Sequence, residues 1–480
     1  MRQLGGIDAT FLYMETPETP MHVAGLQVFE PPVDFSGSFH AHFLDFFKSR
    51  MHLAPVFSQK LARTVLELDH PGWVDARDID LDWHIRKATL PAPGTRAQLE
   101  ALVGELHSVP LDRTRPLWQF TVIDGLDDGN AAIYTKVHHA AVDGGAGMVI
   151  AAAFFDISPK PRAVKPPEPK PEPKRKPTLE ERALLGLNDL VQNAVRQHVD
   201  ALQALPKIMN SVADLLSPKS TGDGKASPKL PGLPKLPEIL PPKTPFNVTI
   251  TGQRAFCART LLLSDSKLIA KATGAKINDV VMAVCAGALR TWLEKRKALP
   301  DRSLVAFVPI SLREAGNTDI NNQVFGMNCR IATEIADPLA RLDAIRQGAD
   351  QAKTIAGGLK DVAPKSFTLL GAPLVLPGLM QLYGRSGLAD IAPQAVNLVI
   401  SNTPGPPFPM FCAGWKILAM YPVSIPVHGI GLNMTVQSYQ NGLDFGLTAD
   451  RRAMPDLDVL GDALAPAMEE LKQAALQKAQ

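Results

Sequence analysis

The prolines of this chain are concentrated in one segment, and this concentration limits how the chain can fold. Residues 159–245 hold 17 of the 42 prolines. The remaining 393 residues hold 25, a share of about 6% that is close to normal. Two Pro- and Lys-rich stretches, 159–177 and 228–245, predict extended arms of polyproline type. The chain therefore divides into two globular halves, 1–158 and 246–480, joined by a long linker.

Between the two arms, apolar residues recur at helical spacing over 178–217, which predicts an amphipathic helix. Two interpretations of this helix stay open. It either packs on the surface of a domain or lies on a membrane or lipid surface. Its slight excess of acidic residues weakens the second interpretation, and the Lys-rich arms beside it support that interpretation modestly.

Composition and charge exclude several classes of protein. Hydrophobic residues make up 45% of the chain, so a sizeable core can form, and a net charge of +2 disfavours a general nucleic-acid-binding protein. The four cysteines lie far apart without a C-x-x-C pair, which favours a reducing compartment. The N-terminus has no apolar signal region, and the uncharged stretch 366–384 is broken by Pro and Gly. We expect a cytoplasmic protein in which 366–384 is buried or interfacial.

Each half mixes strands with helices, which predicts the α/β class. In the first half, 131–137 is typical of a buried strand and 147–155 of the start of a helix. In the second half, 277–293 predicts a buried helix rich in small residues, and 304–310 predicts a strand. From 391 to 443 only Lys416 is charged, so the short β-like runs there should be strands buried on both faces.

The strongest chemical signal is HHAAVDG, which follows the predicted strand directly. Adjacent histidines on extended backbone point to opposite sides, so His138 and His139 cannot easily share one metal, and we expect no metal site. A histidine that projects into a cleft would suit a general base. Asp143 could orient the loop, and Gly144 provides a tight turn. From spacing alone, a catalytic and a structural role stay equally open.

HHAAVDG resembles the HHxxxDG motif of CoA-dependent acyltransferases. GIDATFLYMETPETPMHVAGL, RPLWQFTVIDGL, INDVVMAVCAGALRTWL, FVPISLR, FGMN and NLVISNTPGP accompany it in this order. Together they resemble the bacterial wax ester synthase/acyl-CoA:diacylglycerol acyltransferase family, from about residue 4 to 452 except for 159–245. The resemblance implies two chloramphenicol-acetyltransferase-like domains, each a mixed β-sheet with flanking helices, joined by the linker.

The resemblance also implies roles for particular residues. His139 would be the general base that takes a proton from an alcohol, with His138 in support. Asp143 would hold the loop, with Arg313 as its partner, and Gly144 would allow close approach of the substrate. The substrate-binding residues implied on the second half are Asn278, Asp279, Ser401 and Asn402. One departure is Gln253-Arg254, where the family often has two arginines, so a role of the first arginine is in doubt.

The activity implied is transfer of a long-chain acyl group from acyl-CoA to a fatty alcohol or diacylglycerol, which would yield wax ester or triacylglycerol. Acyl-CoA would be a substrate, and no cofactor is implied. The expected partners are these lipids and, peripherally, the inner membrane face or lipid inclusions, with no nucleic acid. Two alternatives stay open: a condensation-type enzyme with another acceptor, and a non-catalytic lipid-surface protein.

Overall fold

The computed structural model describes residues 2–62, 70–142, 144–166, 240–311, 324–359 and 372–479. Most of these residues belong to two six-stranded sheets with flanking helices. Both sheets mix parallel and antiparallel pairs, which confirms the predicted α/β class. The linker helix predicted over 178–217 lies outside the described residues.

The first half supplies most of the first sheet, whose strand order is β12-β13-β2-β7-β6-β5, and a small sheet of order β1-β4-β3. Its strands are β1 (Arg2–Gln3), β2 (His22–Glu30), β3 (Gln59–Ala62), β4 (Gly72–Asp75), β5 (Ile85–Thr89), β6 (Trp118–Asp124) and β7 (Ala131–His138). Its helices are α1 (Gly6–Met14), α2 (Phe39–Arg50), α3 (Leu81–His84), α4 (Arg96–Ser108) and α5 (Gly144–Phe154).

The second half forms the second sheet, of order β10-β9-β11-β14-β15-β8, and adds two strands to the first. Its strands are β8 (Arg254–Leu262), β9 (Val305–Ser311), β10 (Val324–Arg330), β11 (Leu398–Thr403), β12 (Phe411–Cys412), β13 (Trp415–Val423), β14 (Leu432–Tyr439) and β15 (Gly442–Asp450). Its helices are α6 (Leu263–Thr273), α7 (Ile277–Lys295), α8 (Pro338–Leu359), α9 (Ala372–Ser386), α10 (Leu388–Ile391), α11 (Leu457–Asp462) and α12 (Leu464–Ala479).

Strand β7 is covered on both faces, which explains why its sequence does not alternate between apolar and polar residues. Ala131 and Ile133 face an aromatic-rich cluster built with α2. Ala132 and Tyr134 face a second cluster, to which α4 and β8 contribute. Since successive side chains of a strand point to opposite faces, a strand between two cores carries apolar residues on both faces. The predicted buried strand over 131–137 is confirmed.

Helix α7 forms the centre of the larger core, on the second sheet, and confirms the buried helix predicted over 277–293. Its small residues allow neighbouring elements to approach closely. At Gly287, an added Cβ would lie 3.0 Å from the Cβ of Ala467 on α12. The strand predicted over 304–310 is confirmed as β9.

Strand β13 belongs to the second half of the sequence but to the first sheet. It pairs antiparallel with β2 from Lys416 opposite Glu30 to Val423 opposite Ala24. It also packs on β15 of the second sheet, where Gly446 lies against the carbonyl of Pro422. The division of the chain near residues 158 and 246 stays a prediction. In the structure, the sheet of the first half is completed by chain from the second half.

Buried polar contacts support this junction between the halves. Arg259 on β8 donates to Glu100 Oε1 on α4 at 2.7 Å. Arg254, also on β8, donates to the backbone carbonyl of Glu18 at 2.6 Å. His107 Nε2 on α4 lies 2.8 Å from the carbonyl oxygen of Ser424. Because buried charges and polar groups are costly without partners, these contacts limit the ways in which the halves can be arranged.

The charge-poor stretch 391–443 contains β11 to β14, and most of its strand residues are buried, as predicted. The stretch 366–384 is expected to be buried or interfacial. Its described part, residues 372–384 of α9, is not fully buried, because it leaves large apolar side chains exposed. Among the described residues, no single helix is long and apolar enough to span a membrane. The bent pair of α6 and α7 meets that test together by length and composition, with 107° between its members.

The contact between Gly446 and Pro422 predicts a steric requirement for glycine. A Cβ at Gly446 would overlap the carbonyl oxygen of Pro422, and neither backbone can move without disturbing its sheet. Gly446→Ala should therefore lower the free energy of unfolding by about 1–3 kcal/mol in chemical denaturation. Gly378→Ala in α9, where an added Cβ meets open space, is the matched control and should raise stability slightly. Equal stability of the two variants would contradict the close approach.

Candidate active site

The histidine pair lies where β7 ends and a short 3₁₀ helix, His139–Ala141, begins. The N–H of His138 donates to the carbonyl of Leu117 at 2.9 Å, and that of His139 donates to the carbonyl of Met21 at 2.8 Å. Both contacts come from chain segments that flank β6 and β2, the two strands that pair with β7. The backbone of the motif is therefore held from both sides before any side chain is considered.

The ring of His138 is fully buried and engages both of its nitrogens. Its Nδ1 accepts the N–H of Ala140 at 3.0 Å, and its Nε2 lies 2.8 Å from Glu15 Oε2. Because Nδ1 accepts, a neutral ring carries its proton on Nε2 and donates it to Glu15. His138 therefore stabilises the turn that presents His139.

Glu15, which follows α1, is held by three groups. Besides His138, its carboxylate accepts the N–H of Met21 at 3.2 Å and the Arg113 guanidinium at 3.0 Å. Burial alone would raise the pKa of Glu15, but the hydrogen bond from His138 and the nearby positive charges hold that pKa below its ordinary value. An ionised carboxylate therefore lies beneath the motif. The motif HHAAVDG does not indicate Glu15. The available sequence signal is the segment METPETPMH just before β2, in which Glu15 and Glu18 are the acidic residues.

The ring of His139 has a different neighbour from that of His138. It stacks on Phe11 of α1 with a centroid distance of 3.9 Å and an interplanar angle of 14°. Its Nδ1 is buried and has no hydrogen-bond partner within the described chain. Burial, with a smaller contribution from His138, lowers the pKa of His139 to about 4. The imidazole is therefore neutral at physiological pH and can accept a proton.

Asp143 and Gly144 are the two other residues expected at the motif. Asp143 and its expected partner Arg313 lie outside the described residues. Gly144 is the first residue of α5. Within the described ranges, no group of three or more His, Cys, Asp or Glu residues could hold a metal ion.

The residues expected from the second half do not form one cluster. Asn402 on β11 donates through Nδ2 to Asn278 Oδ1 on α7, at 3.4 Å. Asp279 is buried and accepts the N–H of Lys276 at 3.0 Å, as a cap at the start of α7. Ser401 precedes Asn402 on the same strand, so the two side chains point to opposite faces of the sheet. The structure thus brings Asn278 and Asn402 together, and it directs Asp279 and Ser401 elsewhere.

Two family models match this chain. The wax ester synthase/diacylglycerol acyltransferase catalytic domain matches residues 4–281, and the WS/DGAT C-terminal domain matches residues 320–472. The chain belongs to this family. The catalytic-domain match includes both His139 and Asn278, although they lie in different halves of the chain.

Individual relatives of the WS/DGAT family agree with this assignment. The chain is 34% identical over 474 residues to "Probable diacyglycerol O-acyltransferase tgs2" of Mycobacterium tuberculosis, covering 97% of this chain and 98% of that protein. The wax ester synthase/diacylglycerol acyltransferase of Marinobacter aquaeolei VT8 superposes with a TM-score of 0.70 at 30% identity, covering 99% and 100% of the two chains.

Condensation domains of peptide synthetases share the fold of this WS/DGAT chain. The first condensation domain of the calcium-dependent antibiotic synthetase superposes with a TM-score of 0.54 at 14% identity. At that identity the likeness concerns architecture alone, and it agrees with the two domains that the sequence predicts.

Gln253 and Arg254, where this chain departs from the WS/DGAT pattern, lie in different environments. Gln253 is exposed, whereas Arg254 is buried and bonded to backbone carbonyls, among them that of Glu18. Burial lowers the pKa of Arg254 to about 10, so the guanidinium keeps its charge at neutral pH. The second position of the pair thus links the two halves, and the first faces solvent.

The contacts of Glu15 predict that it positions the histidine motif. Glu15→Gln removes the charge that receives the His138 proton, so the turn that carries His139 should lose its fixed geometry. We expect kcat of acyl transfer to fall about tenfold, with little change in KM for the alcohol, because the Glu15 carboxylate is engaged by His138, Met21 and Arg113 and acts through His138. Glu105→Gln, at an exposed position on α4, is the control. A change confined to KM would contradict a positioning role.

Proposed function

We propose that this chain transfers a long-chain fatty acyl group from acyl-CoA to a fatty alcohol or diacylglycerol, with His139 as the general base. The product is a wax ester or a triacylglycerol. The observation that carries the proposal is the neutral, stacked imidazole of His139 at the end of β7, in a chain of the WS/DGAT family. Acyl-CoA acts as a substrate, and the reaction needs no further cofactor.

In the proposed reaction, the acceptor hydroxyl attacks the thioester carbonyl while His139 takes the hydroxyl proton. The C–O bond forms, the carbonyl becomes an oxyanion, and the C–S bond then breaks to release the CoA thiolate. The imidazolium returns its proton to the thiolate, so the enzyme ends as it began. A base with a pKa of about 4 is weaker than an ordinary imidazole, but it is fully in its basic form at neutral pH.

The second half would supply substrate contacts. Asn278 Oδ1 accepts from Asn402, which leaves the Nδ2 group of Asn278 to donate to the substrate or to the oxyanion. One such donor typically contributes roughly 3–4 kcal/mol to a transition state of this kind. Ser401 and Asp279 remain expected substrate contacts on the strength of the resemblance, as do Gly144 and the loop function of Asp143.

The substrates also suggest where the enzyme works. Long-chain alcohols and diacylglycerols reside in lipid phases, so the proposal includes peripheral contact of the protein with the inner membrane face or with lipid inclusions. A channel between the two domains would then shelter the acyl chain from water.

Replacement of His139 tests the base directly. His139→Ala should lower CoA release from palmitoyl-CoA and hexadecanol, or from palmitoyl-CoA and diacylglycerol, by about 10²–10⁴-fold. His52→Ala, which removes a half-buried histidine outside the motif, should leave the rate unchanged. Thermal unfolding of both variants verifies that they are folded. Undiminished CoA release in His139→Ala would refute the proposal.

The pH dependence gives an independent test. A base with a pKa of about 4 stays more than about 95% unprotonated at pH 5.5, whereas an unperturbed histidine would be about 90% protonated there. We therefore expect kcat/KM, which reports the free enzyme, to change little between pH 7.5 and 5.5 and to fall as the pH approaches 4. A tenfold fall by pH 5.5 would contradict a neutral base at His139.

A further inference from the structure

Helix α9 exposes a row of large apolar side chains. Val375, Leu379 and Leu382 are 57%, 52% and 64% exposed. They are spaced by four and three residues, so they lie on one face of the helix. Exposed apolar residues scattered singly are ordinary, but a continuous row on one helix is not.

The inner face of α9, adjacent to this row, is also apolar and packs on the protein. Leu376 packs against the cluster that contains Phe11 and Ala140. Tyr383 meets the ring of His428 edge-on at a centroid distance of 6.1 Å. Since both faces are apolar, α9 has the pattern of a helix with a second partner on its outer side.

Helix α10 extends the exposed surface. Leu388 and Ile391 are 46% and 79% exposed. Within the described ranges, fifteen large apolar side chains are 38% exposed or more, and five of them lie in the 17 positions from Val375 to Ile391. We call these five residues, Val375, Leu379, Leu382, Leu388 and Ile391, the α9–α10 surface.

The charges around the α9–α10 surface restrict what it can contact. Helix α9 has no charged residue before Arg385, which is exposed in its last turn. Lys243 lies near the end of the stretch 228–245 and contacts the backbone carbonyl of Asp390. The one carboxylate of α10, that of Asp390, is engaged by the N–H of Thr249 at 2.8 Å. An apolar face bordered by cations suits a lipid layer with anionic head groups.

The α9–α10 surface also lies near the candidate active site. Helix α9 packs on α1, and α1 supplies Phe11, which stacks on His139. Leu376, on the inner face of α9, belongs to the same cluster as Ala140 of the motif. A lipid layer in contact with α9 would therefore be separated from His139 by little more than α1.

We propose that the α9–α10 surface docks this protein on a lipid layer, with the outer face of α9 in its apolar region. The lipid-layer assignment rests on the proposed function, because a water-insoluble acceptor that enters the site must come from such a layer. The apolar row, the terminal Arg385 and the continuity with α1 all favour a lipid layer over a second protein. The docked helix would place the mouth of the site against the phase that holds the acceptor.

The experiment uses the full-length protein and vesicles of phosphatidylcholine with phosphatidylglycerol. The test variant combines Val375→Gln, Leu379→Gln and Leu382→Gln, which keep good helix formers at exposed positions. Its co-flotation with vesicles should fall about tenfold or more, because three side chains lose apolar burial. The matched control combines Leu268→Gln and Leu476→Gln, at 38% and 41% exposed positions on α6 and α12, and should float like the wild type.

Turnover measured in two ways separates docking from chemistry. With diacylglycerol embedded in vesicles, CoA release by the triple variant should fall as binding does. With a water-soluble alcohol such as hexanol, its CoA release should equal that of the wild type. If no alcohol supports CoA release in the wild type but vesicle binding still depends on α9, the proposed function fails and the docking surface stands.

Three results would overturn the docking proposal. The triple variant would float like the wild type, or the wild type itself would not bind vesicles. Alternatively, the triple variant would change the mass of the particle in light scattering while vesicle binding stayed intact, which would show that a second copy of the chain covers α9.

Discussion

The antiparallel pairing of β13 with β2 is the constraint on which the rest of the structure depends. It inserts chain from the second half into the first sheet, while the next strand along the sequence, β14, lies in the second sheet. The two sheets cannot separate without breaking this ladder, and the close approach of Gly446 to Pro422 reinforces it. His138 lies opposite His22 at the end of that same β2, so the motif has a fixed position relative to the junction.

Burial produces both the stability and the chemistry of the candidate site. His138 is fully enclosed and is tolerated there because Glu15 and the Ala140 N–H satisfy its two nitrogens. His139, one residue later, has a stacked ring whose Nδ1 has no hydrogen-bond partner among the described residues, and burial keeps the ring neutral. The different neighbours, the Glu15 carboxylate for one ring and Phe11 for the other, therefore make His138 a support and prepare His139 to accept a proton. Neither effect would arise on an exposed loop, where water would solvate both rings.

Several elements could be predicted because their cause is local. Burial could be predicted from local composition alone for three segments: the strand 131–137, the helix 277–293 and the charge-poor stretch 391–443. Glu15 could not be found in this way, because its partner His138 is 123 residues away. The stretch 366–384 shows the opposite difficulty. Its apolar composition fits a buried or an interfacial segment equally well, and only the packed structure shows that the outer face of α9 is exposed.

The sequence by itself determined the α/β class, the histidine motif and the family resemblance, because periodicity, composition and short motifs are properties of neighbouring residues. The linker between two halves stays a prediction. The tertiary structure decided which strands complete which sheet, that Glu15 supports His138, and that Asn278 meets Asn402 while Asp279 caps α7. These outcomes depend on contacts between distant segments. Burial and hydrogen-bond partners at such contacts are set by the whole chain packing at once, and no local pattern records them.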